Sequence, residues 1–290
     1  MNLSDLLVKS GIEPQSVVVL RHRPIEAALR KALPWLAEDH PSVFNAYQQT
    51  QTPKLEAAMR KLSGHGYIAS LIGDTPGQAT WVGLYKIDGY RTLKRSEYWD
   101  VAEYAYLKDF GIAGPSRPSL LWFDLNLMAP FQHWKGKLVI HWPPPERSWW
   151  RRAHRNEFEV RAIHSDSAFS RSMPDWTQLC LTWNDLSIIP TTWKKRLAEW
   201  RGVYYIHDAS CGKGYVGSAY GNENLLGRWL RYAVTGHGGN RLLRARDARN
   251  FRFSILQRVS PDLSAEEIID LEGTWKQRLH TRHPEGLNDN

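Results

Sequence analysis

The segment from Ser264 to His280 opens with a capping-box sequence, Ser264-x-x-Glu267, ahead of a helical apolar pattern, and predicts a helix. At 100° per residue, Ile268, Trp275 and Leu279 fall within about 40° of one another. Glu272 lies inside that stripe, and Glu266, Glu267 and Asp270 lie on the opposite side. A carboxylate on an apolar stripe is costly unless it is paired or bound to a cation. An arginine partner satisfies it, and so does Mg²⁺ completed by phosphate oxygens and water. A helix over Glu223–Val234 gathers Leu225, Trp229, Tyr232 and Ala233 on one face and leaves Arg228 at its edge, one turn before Tyr232. There an arginine either snorkels to solvent or aims its fork into a cleft, where it suits a phosphate oxygen. In the strand-like run Gly202–Ile206, Tyr204 and Tyr205 point to opposite faces, so one faces the core and the other is free to reach a site. Tyr215 belongs to the neighbouring run Tyr215–Ala219. A phenol, with a reference pKa of about 10, is a poor base unless a cation lowers it.

Further candidates surround these. His237 sits in the loop sequence TGHGGN, where it either serves a phosphate or is an ordinary loop histidine. The stretch Arg241–Arg249 reads as a short basic helix carrying Arg241, Arg244, Arg246 and Arg249, opposed only by Asp247. Together with Arg231, such a density suits backbone-phosphate contacts, with a solvated face as the alternative. In the first part of the chain, PPPERSWWRRAHR (143–155) interleaves Trp149 and Trp150 with Arg151 and Arg152. Stacking on an extruded base with phosphate contacts needs this mixture; packing in the core is the ordinary fate of a tryptophan.

The elements that must position these residues fall into two patterns. From Arg201 the order is strand, strand, helix, basic helix, strand, helix, the strands being Gly202–Ile206, Tyr215–Ala219 and Phe251–Leu256. Before it lie strand-like runs at Val17–Leu20, Tyr67–Ile72, Thr80–Ile87, Leu120–Leu125, Lys137–Trp142 and Phe158–Ile163. Helices are expected over 24–38 and 43–62, interrupted near Pro34 and Pro41; residues 164–192 read as irregular, with a helix near Thr191–Trp200. The expected class is α+β. Residues 1–194 would form a mixed recognition domain with a bent sheet or barrel and peripheral helices, and 195–290 a small three-stranded antiparallel sheet flanked by helices. The 290 residues carry 38 Lys+Arg against 30 Asp+Glu, a net +8. That surplus is spread over both parts (13 against 10 in 201–290, 25 against 20 before it), so neither is a basic tail. The charge suits nucleic acid and simple solubility equally. The 14 Trp, 12 Tyr and 8 Phe exclude a largely disordered chain. No apolar run approaches the roughly 20 residues of a membrane span. The first residues lack the basic start of a secretory signal, and two cysteines, Cys180 and Cys211, fit a reducing compartment, so a cytoplasmic protein is expected.

The C-terminal stretch resembles the GIY-YIG nuclease family. The first motif corresponds to Gly202-Val203-Tyr204, the second to Tyr215-Val216-Gly217, the helical arginine to Arg228 with the aromatic Tyr232 one turn later, the metal-binding glutamate to Glu272 and the terminal asparagine to Asn288. The resemblance covers roughly the last 90 residues and implies metal-dependent phosphodiester cleavage with Mg²⁺ or Mn²⁺ on Glu272. Tyr204 would activate water, Tyr215 would position water or phosphate, and Arg228 would neutralise transition-state charge. His237 and Asn288 would stand near the reacting groups. The first part resembles, in strand pattern alone, a PUA-like barrel. The joint expectation is a restriction-like DNA endonuclease, acting on plain or modified DNA, with an N-terminal specificity domain and a homodimer as one route to double-strand cutting. A structure-specific repair nuclease and a non-catalytic nucleic-acid-binding protein with a relic nuclease domain are the alternatives.

Overall fold

The computed structural model describes residues 1–170, 172–221 and 224–289, and the chain divides into two compact units, Met1–Arg171 and Ser172–Asn290.

The first unit runs α1 (Leu3–Lys9), β1 (Val17–His22), α2 (Ala27–Asp39), α3 (Pro41–Gln49), α4 (Pro53–Arg60), β2 (Tyr67–Ile72), β3 (Gln78–Lys94), α5 (Ala102–Asp109), β4 (Ser119–Leu127), β5 (Leu138–His141), β6 (Trp150–Arg152) and β7 (Val160–Ile163). Every residue of β1 is buried, as a strand covered on both faces requires. It pairs in parallel with β2, and α2, α3 and α4 supply the crossover that a parallel pair needs. All other pairings are antiparallel. The 17-residue β3 lies beside β2 and gives its other edge first to β5, at Gln78–Thr80, then to β4, from Tyr85 to Lys94. The hydrogen-bonded path β6-β1-β2-β3-β5-β7, with β4 on β3, is a mixed seven-stranded sheet, and no ladder between β6 and β7 closes it among the described residues. Leu3, Leu7, Val19, Leu71, Trp81, Ile140, Trp142 and Phe158 belong to one core cluster. Two expectations change here. Pro34 lies inside α2, and the segment 43–62 is two helices, because Thr50–Thr52 turns extended before Pro53 starts α4.

The second unit runs β8 (Cys180–Thr182), α6 (Trp183–Ser187), α7 (Thr191–Glu199), β9 (Arg201–Asp208), β10 (Lys213–Ala219), α8 (Asn224–Thr235), α9 (Arg241–Arg244), β11 (Phe251–Val259) and α10 (Ala265–Arg278). Its sheet has the order β10-β9-β11-β8 and is antiparallel throughout. It therefore has four strands rather than three: the segment read as irregular contributes β8, followed by α6 with Thr182 as its capping residue. The basic helix expected over Arg241–Arg249 is also corrected. It is one helical turn, and Asp247 starts a separate tight turn at Ala248–Asn250 by accepting from the Arg249 backbone. The first residue expected in the α8 segment, Glu223, lies outside the described residues. Along α10, Ile268 is buried as expected, but Leu279 is exposed and Lys276 is buried in its place.

Gly202, next to a register irregularity between β9 and β11, has φ at +153°. A Cβ there would collide with the Gln257 carbonyl oxygen. Gly202→Ala is expected to lower stability by about 1–3 kcal/mol from backbone strain alone, read as a shift of the denaturation midpoint.

Candidate active site

Strand pairing builds the centre of the site. Tyr204 on β9 stands opposite Gly217 on β10, and Tyr215 stands opposite Ile206, so the two tyrosines share one face as diagonal neighbours. Their rings are 6.4 Å apart. Tyr232 of α8 completes a triangle, 6.1 Å from Tyr204 and 6.3 Å from Tyr215. Glycine at 217 is required, because a Cβ would run into both the Tyr204 and Tyr215 rings. Gly238, at φ +58°, packs on Tyr232 where any side chain would overlap the ring.

The Tyr204 and Tyr232 hydroxyls are 3.0 Å apart and hydrogen-bonded, and both side chains are buried, at 0% and 1% exposure; Tyr215 is 9% exposed. Burial pushes all three phenols above the usual tyrosine range. For Tyr204, Tyr215 adds to the rise while Arg228 and Tyr232 work against it. A free Tyr204 phenolate at neutral pH, one form in which Tyr204 would activate water, is therefore disfavoured in the protein as it stands. Arg228 is half-buried beside these rings, and its Nε has no hydrogen-bond partner. The charge of Tyr204 in its ionised form, then burial acting in the opposite sense, sets its pKa, which is raised overall, so it stays a guanidinium.

Glu272, 16% exposed, reaches the same neighbourhood from α10 and is felt electrostatically by Tyr215. Its Oε1 is 2.8 Å from the Lys276 ammonium one turn on, and its Oε2 accepts from the Ser218 hydroxyl on β10. The costly carboxylate is thus satisfied by a lysine and a serine, neither of which the sequence reading singled out. The i, i+4 spacing was the available signal for Lys276, and the alternation past Gly217 the one for Ser218. Among the described residues no group of three His, Cys, Asp or Glu side chains is arranged to hold a metal ion. Each Glu272 oxygen retains a second lone pair, so the donor set fits a cation with one protein carboxylate, the other positions falling to phosphate and water.

Asn288 is buried, and both ends of its amide are engaged: Oδ1 accepts from the Val216 N–H at 2.9 Å and Nδ2 donates to the Val216 carbonyl at 2.8 Å. It continues the sheet past the edge strand β10, between Tyr215 and Gly217. His237 Nδ1 accepts from the Gly239 N–H at 3.0 Å, which steadies the glycine loop beside Tyr232.

The basic residues disperse. Arg241 forms a two-pronged pair with Asp289, Arg249 pairs with Asp247, and Arg246 lies 3.9 Å from the buried Asp208; Arg231 and Arg244 are exposed. Much of the local positive charge is therefore matched by carboxylates. In the first unit, Trp150, Arg151 and Arg152 form β6, paired with β1. Arg151 donates to Asn156 Oδ1 and to the carbonyls of Pro143 and Pro145, so it ties the PPPERSWW loop to itself rather than standing free for phosphate. Trp142 is fully buried in the core, whereas Trp149 lines a cavity of about 660 Å³.

Asn288→Ala removes two buried hydrogen bonds and leaves Val216 unsatisfied. It is expected to cost about 1–3 kcal/mol, and Asn288→Asp is expected to fail as a replacement because a carboxylate cannot donate to the Val216 carbonyl. Thermal melts of the two variants check both statements.

No protein-family model and no curated protein sequence matches the chain. Among solved structures, it is similar to the catalytic domain of the homing endonuclease I-TevI, at 26% identity and a TM-score of 0.26, over 31% of this chain and 98% of that one. The likeness is a weak, partial one to a GIY-YIG endonuclease domain.

Proposed function

We propose that residues 195–290, within the second unit, form a divalent-metal-dependent DNA endonuclease domain and that the first unit supplies recognition. The observation that carries this reading is convergence: Tyr204 from β9, Tyr215 from β10, Arg228 and Tyr232 from α8 and Glu272 from α10, distant in sequence, fall into one neighbourhood. Two of them, Arg228 and Glu272, carry charges that a packed core would not select. The motif order that resembles GIY-YIG nucleases supports the same reading, and the net +8 agrees with it.

The reaction is hydrolysis. A water oxygen attacks phosphorus, the P–O bond in line with it breaks, and the departing oxygen takes up a proton. Arg228, charged and partly exposed, holds a non-bridging oxygen and offsets the charge that develops there. Tyr215, the most exposed of the three phenols, orients the water and receives its proton as a phenolate. Tyr204 and Tyr232, closed on each other, fix the Tyr215 ring behind it. Glu272 and Ser218 would hold Mg²⁺ or Mn²⁺, which when bound acts as a Lewis acid on the phosphate. Lys276 balances Glu272 until phosphate arrives.

Two tests follow. Supercoiled DNA incubated with Mg²⁺ is expected to be nicked or cut by the protein, and Glu272→Ala is expected to lose cutting by at least about 100-fold while retaining DNA binding in gel shifts. Equal cutting by the variant removes Glu272 from the metal role. Because burial raises the Tyr215 pKa, its phenolate is scarce at neutral pH and grows about tenfold per pH unit below that pKa. The cleavage rate should therefore climb from pH 7 to 9, and Tyr215→Phe should be slow and flat across that range. A pH-independent wild-type rate would rule out the phenolate.

A further inference from the structure

Glu272 and Lys276 stand one turn apart on α10, the glutamate nearer the helix start, which is the favourable order for such a pair. Glu272 Oε1 lies 2.8 Å from the Lys276 ammonium, inside the roughly 2.7–2.9 Å of a direct charged hydrogen bond. Both side chains are largely withdrawn from water, at 16% and 8% exposure, so each charge acts on its neighbours more strongly than it would on the open surface. The helix that carries them is fixed around the pair. Ile268 is buried, the Ser218 hydroxyl donates to Glu272 Oε2, and Trp275 Nε1 donates to Gln257 Oε1 on β11 at 2.9 Å.

The charges around this carboxylate do not favour a dication in the protein by itself. Burial keeps the three phenols neutral, and Arg228 stays a guanidinium. Among the described groups of the cluster, Glu272 thus sets one negative charge against two positive ones, Lys276 and Arg228. A divalent ion on the remaining lone pairs of Glu272 would share its carboxylate with the Lys276 ammonium. Either the ammonium stays and repels the ion, or it turns away and gives up its bond to Oε1. Both outcomes weaken the hold on the ion. A DNA phosphate reverses the balance, because it brings a negative charge and oxygen ligands of the kind Mg²⁺ takes.

We propose that Lys276 is a positioning residue that holds Glu272 and keeps its affinity for a divalent ion low in the free protein, so that the metal loads chiefly together with a DNA phosphate. This rests on the metal role of Glu272 in the nuclease reading and adds an order of assembly to it. The free protein carries little metal, and the substrate recruits it.

The full-length protein is titrated with Mn²⁺ in the absence of DNA, the free ion being followed by its electron paramagnetic resonance. Lys276→Met removes the charge and keeps an unbranched side chain. It is expected to bind Mn²⁺ at least about tenfold tighter than the wild type, since a unit charge in contact with the carboxylate is gone. Lys276→Arg keeps the charge and is expected to bind as weakly as the wild type. Adding Glu272→Ala to Lys276→Met is expected to abolish the gain. Lys276→Gln repeats the neutral substitution if circular dichroism shows that the methionine variant does not fold. A third measurement leaves Lys276 in place: binding of a fluorescein-labelled phosphorothioate duplex, chosen to resist cutting, is compared in Mn²⁺ and in EDTA at equal ionic strength. The wild type is expected to gain at least about fivefold in Mn²⁺ and Glu272→Ala to gain nothing, because the help that DNA gives the ion equals the help that the ion gives DNA. Equal Mn²⁺ affinity in the wild type and the neutral variants overturns the proposal, as does a wild-type duplex affinity indifferent to Mn²⁺. A gain that survives Glu272→Ala puts the ion elsewhere and overturns the metal role of Glu272 itself.

Discussion

The second unit is organised around a pair of hydroxyl groups that have no access to water. A buried phenol must find a partner or lose the free energy of its desolvation, and Tyr204 and Tyr232 find each other at 3.0 Å. That bond fixes α8 over β9, and the rest of the packing conforms to it. Trp229 and Tyr232 meet Phe253 of β11 at 5.9 Å each. Gly217 and Gly238 leave out the side chains that would occupy the same space. Arg228, one turn before Tyr232, is thereby delivered to the cluster, where its side chain hydrogen-bonds with Tyr204. Burial keeps the phenols neutral and Arg228 stays charged, so the cluster as folded is a positive centre in apolar surroundings.

Much of this was legible in the chain because each motif residue sits in an element with a strong period. Alternation along β9 separated Tyr204 from Tyr205 without choosing between them, the motif resemblance picked Tyr204 and Tyr215, and the helical pattern of α8 placed Arg228 beside Tyr232. What the sequence withheld was partnership. Glu272 on an apolar stripe left an arginine and a cation as its alternatives; the structure supplies Lys276 and Ser218, and only the fold says that β10 passes within reach of α10. β8 escaped notice because three residues, CLT, are too few to show a period. The basic stretch 241–249 looked helical because its arginines are dense, but Asp247 caps a new turn in its middle.

In the first unit the strands were largely legible and the cavity was not. Its lining comes from positions 21–23, 47, 98, 117 and 149, which share no spacing and no common element. Residues so scattered leave no local signature, and the tertiary crossover that unites them is a consequence of the parallel pairing of β1 and β2. The fold divides the conspicuous cluster Trp149–Arg152. Its density reflects a strand and a self-tied loop, with Trp149 alone of the four turned to the cavity lining.

Edge strands are open to slippage and to foreign pairing unless something closes them, and β10 is both an edge and the carrier of Tyr215. Two side chains from outside the sheet resolve this. Asn288 reproduces a strand's hydrogen bonds at Val216, and Glu272 holds Ser218, so the grip falls on the residues either side of Gly217. Gly217 itself has no side chain to anchor, because Tyr204 needs the space. A one-residue slip of β10 would turn Tyr215 to the opposite face and set a side chain against Tyr204. The asparagine and the glutamate therefore fix the register on which the tyrosine cluster depends.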